Sequence, residues 1–156
     1  MNSAGTSIAL AVATACGAGY APFAPGTAGS LVGLLLWWLL PPAAGVQAGS
    51  IVALFLAGCW SGAAAERHFQ KTDPGQVVLD EVVGMLLTLF MIPVGWKGAA
   101  AGFVLFRAFD IVKSPPANRL EHLPGGLGIM ADDAMSAVYA NVALRLCVWA
   151  YGHIAV

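Results

Sequence analysis

The chain has 156 residues, of which 59% are hydrophobic and only 10% charged, with a formal net charge of −1. Ordinary soluble domains carry roughly 25% charged residues, and a mean hydropathy of +0.79 is more apolar surface than one soluble domain of this length can bury. The chain therefore reads as a single membrane-embedded domain over residues 1–156, with no basic patch to support nucleic-acid binding.

No Asp, Glu, Lys or Arg precedes Glu66. The first apolar stretch, "SIALAVATAC", lacks the basic leader of a signal peptide and is read as retained, either as an extra helix or as one lying in the interface. "APFAPGTAGS" follows, where Gly26 and Gly29 allow tight backbone and Thr27 and Ser30 offer hydroxyls near a helix start. Then come the apolar passes. "GTAGSLVGLLLWWLL" ends at Pro41-Pro42, and "GSIVALFLAGCWSGAAA" runs to Glu66. "VVGMLLTLFMIPVGW" follows Glu81, "KGAAAGFVLF" precedes Arg107, and "AMSAVYANVALRLCVWAYG" closes the chain. A helix needs about 20 residues to cross the hydrocarbon, so the third and fourth stretches predict short, tilted helices. The expected fold is an all-α polytopic bundle of about five apolar helices, with the possible N-terminal interfacial helix in addition. Gly45, Gly49, Gly58 and Gly62 are expected at close helix contacts. Cys16, Cys59 and Cys147 show no metal-binding or disulfide spacing and are expected to pack. The three histidines carry no pattern.

The charges form two groups, "ERHFQKTDPGQVVLDE" over 66–81 and a second from Arg107 to Asp133; only Lys97 and Arg145 fall outside them. Two passes separate each group from the next, so both groups and the "APFAPGTAGS" loop must share one face. That face holds Arg67, Lys71, Arg107, Lys113 and Arg119, which makes it cytoplasmic by the Lys/Arg bias. The expected location is a bacterial cytoplasmic (inner) membrane, with the functional site facing the cytoplasm.

On that face "LDEVVG" sets Asp80 and Glu81 at a helix start, where the dipole favours carboxylates. Gly84 leaves room for a ligand or a helix. In "FRAFDIVKSPP", Arg107, Asp110 and Lys113 recur every third residue as one polar stripe, with the two prolines ending the helix. "PGGLGIMADD" offers flexible backbone to an anion and opens the last helix with Asp132 and Asp133. Ionisable groups in membrane helices mark functional sites by default. Five clustered carboxylates repel one another unless a hard cation such as Mg²⁺ sits among them, and interleaved Arg and Lys suit a phosphate bridging to it.

In "APGTAGSL", "DPGQVVLDEVVG", "FVLFRAFDIVKSPP" and "LPGGLGIMADDAMSAVYA", in that order, the chain resembles the phosphatidylglycerophosphatase A family of bacterial membrane lipid phosphatases. The resemblance covers nearly all the chain from Tyr20 onward. It implies Mg²⁺-dependent removal of the terminal phosphate of phosphatidylglycerophosphate, giving phosphatidylglycerol in phospholipid biosynthesis. It also implies catalytic and metal-binding roles for Asp80, Glu81, Asp110, Asp132 and Asp133. The phosphate-binding candidates are Arg107, Lys113, Thr27, Ser30 and Arg119. The chain departs from the family at Ser114, where proline is usual, and at Ser136-Ala137, where Ala-Gly is usual. The attacking group is either water or an aspartate; the absence of a DxDx(T/V) pattern favours water. The competing readings are a membrane transporter or channel, which lacks an internal repeat here, and a related lipid phosphotransferase. The expected partners are the lipid substrate and the membrane.

Overall fold

The structure, a computed structural model, describes residues 3–154 and is all-α, with no strand among the described residues. Helix α1 (Ser3–Ala13) leads through a single 3₁₀ turn (Ala18–Tyr20) to α2 (Pro25–Leu39) and α3 (Ala44–Phe69). Then come α4 (Leu79–Leu89), α5 (Trp96–Val112), the one-turn α6 (Ala117–Leu120) and α7 (Gly126–Ile154). The N-terminal stretch left open by the sequence is thus a helix, packed on α3.

The centre of the bundle is α4, whose sequence "LDEVVGMLLTL" is apolar all round after its first turn, the pattern of a helix enclosed by others. Nine of its eleven residues are buried, and α2, α3, α5 and α7 surround it. Small residues allow the closest crossing. A Cβ on Gly29 would stand 2.7 Å from the Val78 carbonyl oxygen, and one on Gly33 2.7 Å from that of Val82. Backbone-to-backbone approach therefore fixes α2 on α4, as small residues do between membrane helices. On the far side Gly84 is filled by the Phe106 ring of α5, so the room it leaves serves a helix and not a ligand. Met85, Leu89, Phe106, Ala137, Ala140 and Leu144 complete the core between α4, α5 and α7.

At 26 residues, α3 is the one described helix both long and apolar enough to cross a membrane; α1 and α2 are apolar but shorter, and α4 has only 11 residues. By length and composition the described residues thus hold one candidate span beside shorter helices. The outward faces are nevertheless apolar: Leu35, Trp38, Leu56, Val104, Leu146 and Trp149 are each about 60% or more exposed. Apolar exposure of this kind is the mark of a surface that meets a membrane or another protein.

Three local expectations are corrected. Gly58 meets Met130 and Gly62 meets Gly126, but Gly45 and Gly49 have nothing within 4 Å and are not packing positions. Cys16 and Cys147 are exposed, leaving Cys59 as the cysteine that packs. Helix α5 ends at Val112, before the prolines, because Lys113 adopts a left-handed conformation (φ 45°) and closes the helix with its amide on the Phe109 carbonyl.

Candidate active site

Helices α2, α4 and α7 begin, and α5 ends, at one end of the bundle. Their termini enclose a cavity of about 240 Å³. Ala24, Pro25 and Gly26 come from the start of α2, Asp73, Gly75 and Val77 from the connection before α4, and Asp80 and Glu81 from the first turn of α4. Arg107 and Asp110 project from α5, Lys113 follows it, and Asp132 and Asp133 lie on α7. All three segments that the pass count assigned to one face meet here. A larger groove of about 700 Å³ lies at the opposite end, lined by apolar residues such as Trp37, Trp38, Met91 and Ile92.

The ionic contacts divide the charged groups into two sets. Arg107 Nη1 lies 2.8 Å from Asp110 Oδ2 and 3.7 Å from Glu81 Oε1, joining α5 to α4. Lys113 Nζ donates to Asp132 Oδ2 at 2.6 Å and to Glu121 Oε2 at 3.0 Å. Partial burial works against the charge on Lys113, but its bonds to Asp132 and Glu121 outweigh this and hold the ammonium above the ordinary lysine range. The other oxygen of Asp132, Oδ1, accepts the Asp133 amide at 2.9 Å, so both oxygens of Asp132 have partners.

Asp80, Glu81 and Asp133 differ. Asp80 Oδ1, Glu81 Oε2 and Asp133 Oδ2 are buried and accept no hydrogen bond among the described residues. One carboxylate oxygen from each residue lies within 4.8 Å of the other two. Three converging carboxylates, each with an orphaned buried oxygen, are expensive without a counter-charge, and an all-oxygen set of this kind fits a hard divalent cation. Capping does not explain them: Val78 is the N-cap of α4, and no side chain caps that helix.

Gly26 belongs to the site through its backbone. A Cβ there would collide with Glu81 Oε1 and stand 3.0 Å from Arg107 Nη1, so the first turn of α2 forms one wall. The neighbouring hydroxyls do not reach the cavity. Ser30 is fully buried and donates to the Gly26 carbonyl at 2.9 Å, and Thr27 is not among the lining residues. Arg119 is exposed on α6 and also lies outside the lining. Asp73, absent from the sequence candidates, lines the mouth with its amide on Glu66 Oε1 at 3.2 Å; its place in "KTDPG", a turn before the acidic pair, was its only signal.

The glycine run before the diaspartate also has another role than expected. Helix α7 starts at Gly126, so Asp132 and Asp133 lie about two turns inside it and cannot cap it. Gly125 makes the turn at φ 63°, while a Cβ on Gly126 would collide with the Cys59 carbonyl of α3. The glycines seat the helix start against α3 and are not a free anion cradle.

With the geometry in place, comparison with known proteins decides the family. A family profile, Phosphatidylglycerophosphatase A, matches residues 11–148. The chain belongs to the phosphatidylglycerophosphatase A family. It is 38% identical over 135 residues to the Haemophilus influenzae protein named phosphatidylglycerophosphatase A, covering 84% of this chain and 83% of that one. It is 34% identical over 130 residues to the Escherichia coli protein of the same name, covering 81% and 76%. A Bacteroides thetaiotaomicron protein named putative phosphatidylinositol-3-phosphatase is 37% identical over 151 residues, covering 90% and 94%. No solved structure matches. As a phosphatidylglycerophosphatase A family member the chain is a phosphatase, and the charged cavity is its candidate active site.

Proposed function

We propose that the chain hydrolyses the terminal phosphate of phosphatidylglycerophosphate to phosphatidylglycerol and inorganic phosphate, at the cytoplasmic face of a bacterial inner membrane that it crosses several times. The observation that carries this reading is the convergence of three carboxylates, Asp80, Glu81 and Asp133, each with one orphaned buried oxygen, in the cavity that Arg107 also lines. Family membership supports the substrate. The Lys/Arg bias of the cavity end supports the orientation, and the apolar outer surface supports multiple passes.

Asp80, Glu81 and Asp133 would hold Mg²⁺. When bound, it would polarise the phosphoryl oxygens and stabilise charge on the leaving oxygen. Arg107, fixed by Asp110 and Glu81, directs guanidinium N–H groups at the spreading negative charge. Asp132 and Glu121 position Lys113, whose ammonium stays charged and adds positive potential to the phosphate end of the cavity. Water attacks phosphorus and gives up a proton, the bond from phosphorus to the glycerol oxygen breaks, and that proton is returned to the departing oxygen, which leaves as the alcohol. Asp110 lies outside the orphaned trio and lines the same cavity, so it is placed to accept the proton lost by water.

The test is phosphate release from phosphatidylglycerophosphate in mixed micelles, with Mg²⁺ and with excess chelator. Turnover only with Mg²⁺ is expected, and full turnover in chelator would remove the metal from the scheme. Phosphatidylinositol 3-phosphate belongs in the same assay, because one relative bears that name. A single turnover in ¹⁸O-labelled water should put label into phosphate; label in an aspartate would replace water by a covalent nucleophile.

A further inference from the structure

Arg145 is one of two charges outside the charged groups of the sequence, and it sits far along α7 from the cavity. It does not stand alone. Its Nε donates to Asn141 Oδ1 at 2.8 Å, and its Nη2 donates to the Phe90 carbonyl at 2.9 Å and the Met91 carbonyl at 3.4 Å. Asn141 Nδ2 in turn lies 3.1 Å from the Leu87 carbonyl, 3.0 Å from that of Thr88 and 3.1 Å from that of Phe90. Two side chains one turn apart on α7 thus gather the carbonyls of Leu87 and Thr88 in the last turn of α4 and of Phe90 and Met91 just past it, where a helix end leaves carbonyls short of donors. Arg145 also places a positive charge at the negative end of the α4 dipole.

Helices α4 and α7 both run away from the cavity and pack along their lengths. Asp80 and Thr88 are eight residues apart on α4, as are Asp133 and Asn141 on α7. At a rise of 1.5 Å per residue both spacings are about 12 Å. The two helices are therefore pinned at one end by Asn141 and Arg145 and present their carboxylates side by side at the other. The contacts between these ends are mainly apolar, with Met85 and Leu89 of α4 in one cluster with Ala137, Ala140 and Leu144 of α7, and the buried Ser136 hydroxyl makes no hydrogen bond among the described residues. Such contacts hold helices together but set their sliding register weakly.

We propose that Asn141 and Arg145 form a register clamp, positioning residues that set the depth of Asp80 and Glu81 against Asp133. The proposal rests on the reading of those three carboxylates as the working set. A one-residue slip of α4 would move Asp80 by about 1.5 Å along the axis, enough to spoil a three-carboxylate site.

The experiment uses the full chain in detergent micelles, with Asn141→Leu, Arg145→Gln and Arg145→Lys compared with wild type. Asn141→Leu and Arg145→Gln should lower kcat by about 10- to 100-fold, the loss typical when groups supporting a metal site are removed. KM for the lipid should stay within about twofold. Mn²⁺ binding, followed by electron paramagnetic resonance without substrate, should weaken by a comparable factor. Arg145→Lys, which can still reach the carbonyls, should recover most of kcat. A folded Asn141→Leu protein with wild-type kcat and Mn²⁺ binding would overturn the clamp, as would a raised KM at unchanged kcat. If Asn141→Leu does not fold, the two Arg145 variants carry the same comparison. A wild-type protein that binds no Mn²⁺ would sink the metal reading, while the division between kcat and KM would still decide the clamp.

Discussion

Lys113 and Asp132, nineteen residues apart in the chain, form the shortest ion pair described in the molecule, with Nζ 2.6 Å from Oδ2. The contact removes Asp132 from the group of open carboxylates and leaves its neighbour Asp133 in it. Two adjacent aspartates thereby acquire different tasks: one holds a cation of the protein, and the other points an orphaned oxygen at the cavity.

Conservative amide substitutions should separate those tasks. Asp133→Asn should reduce phosphate release by on the order of 10²-fold or more, as loss of a key electrostatic group does. Asp132→Asn should act through Lys113 and give a smaller loss, about tenfold. Equal losses measured on lipid micelles would contradict the division.

The same pair predicts a pH behaviour. Because the folded protein holds the Lys113 ammonium above its ordinary value, its contribution to stability is fully present below the unfolded lysine pKa of about 10.4. It fades only as pH rises through the higher folded value. Thermal unfolding of wild type minus Lys113→Met should therefore show a constant difference from pH 7 to about pH 9.5. A difference that shrinks across that window would refute the assignment.

Arg107 should not tolerate lysine. Its guanidinium meets Asp110 and Glu81 together and, in the mechanism proposed above, turns its further N–H groups to phosphate, a geometry that one ammonium cannot reproduce. Arg107→Lys is expected to lose at least about tenfold in kcat/KM. Near-normal kinetics would make the residue a simple counter-charge.

Glycine substitutions should sort by surroundings. Gly29→Ala would drive a methyl group into the Val78 backbone and cost about 1–3 kcal/mol, as overpacking does. Gly26→Ala would meet Glu81 and Arg107 and should depress activity more than stability. Gly49→Ala, with nothing within 4 Å, should be neutral or stabilise α3 by up to about 1 kcal/mol. Melting temperatures and phosphate release on the three variants provide the check.

Much of the site was legible because charge is so rare in the chain. With only fifteen Asp, Glu, Lys and Arg residues, each cluster stood out, and seven of the ten candidate residues line one cavity. What failed was what depends on packing. Ser30 looked like a phosphate ligand but has its hydroxyl on the Gly26 carbonyl, which no local pattern distinguishes. The glycines before Asp132 looked like loop residues, because Gly126 is required by the Cys59 backbone of α3, distant in sequence. The shortness expected of α4 is seen, but the ends of α3 and α4 depend on more than the apolar stretches. The first extends past its apolar core to Phe69, while the second stops at Leu89 where α7 supplies its terminal partners.

The cavity has a kinetic consequence. At about 240 Å³ it is smaller than the roughly 300–1,000 Å³ pockets that enclose drug-sized ligands, so it can admit the phosphate end of a lipid while the acyl chains stay outside among their neighbours. On the proposed function the enzyme samples substrate by lateral diffusion in two dimensions, and its velocity is expected to follow the mole fraction of substrate in the surface, not its bulk concentration. Adding inert detergent at constant total substrate slows such an enzyme without any inhibitor present.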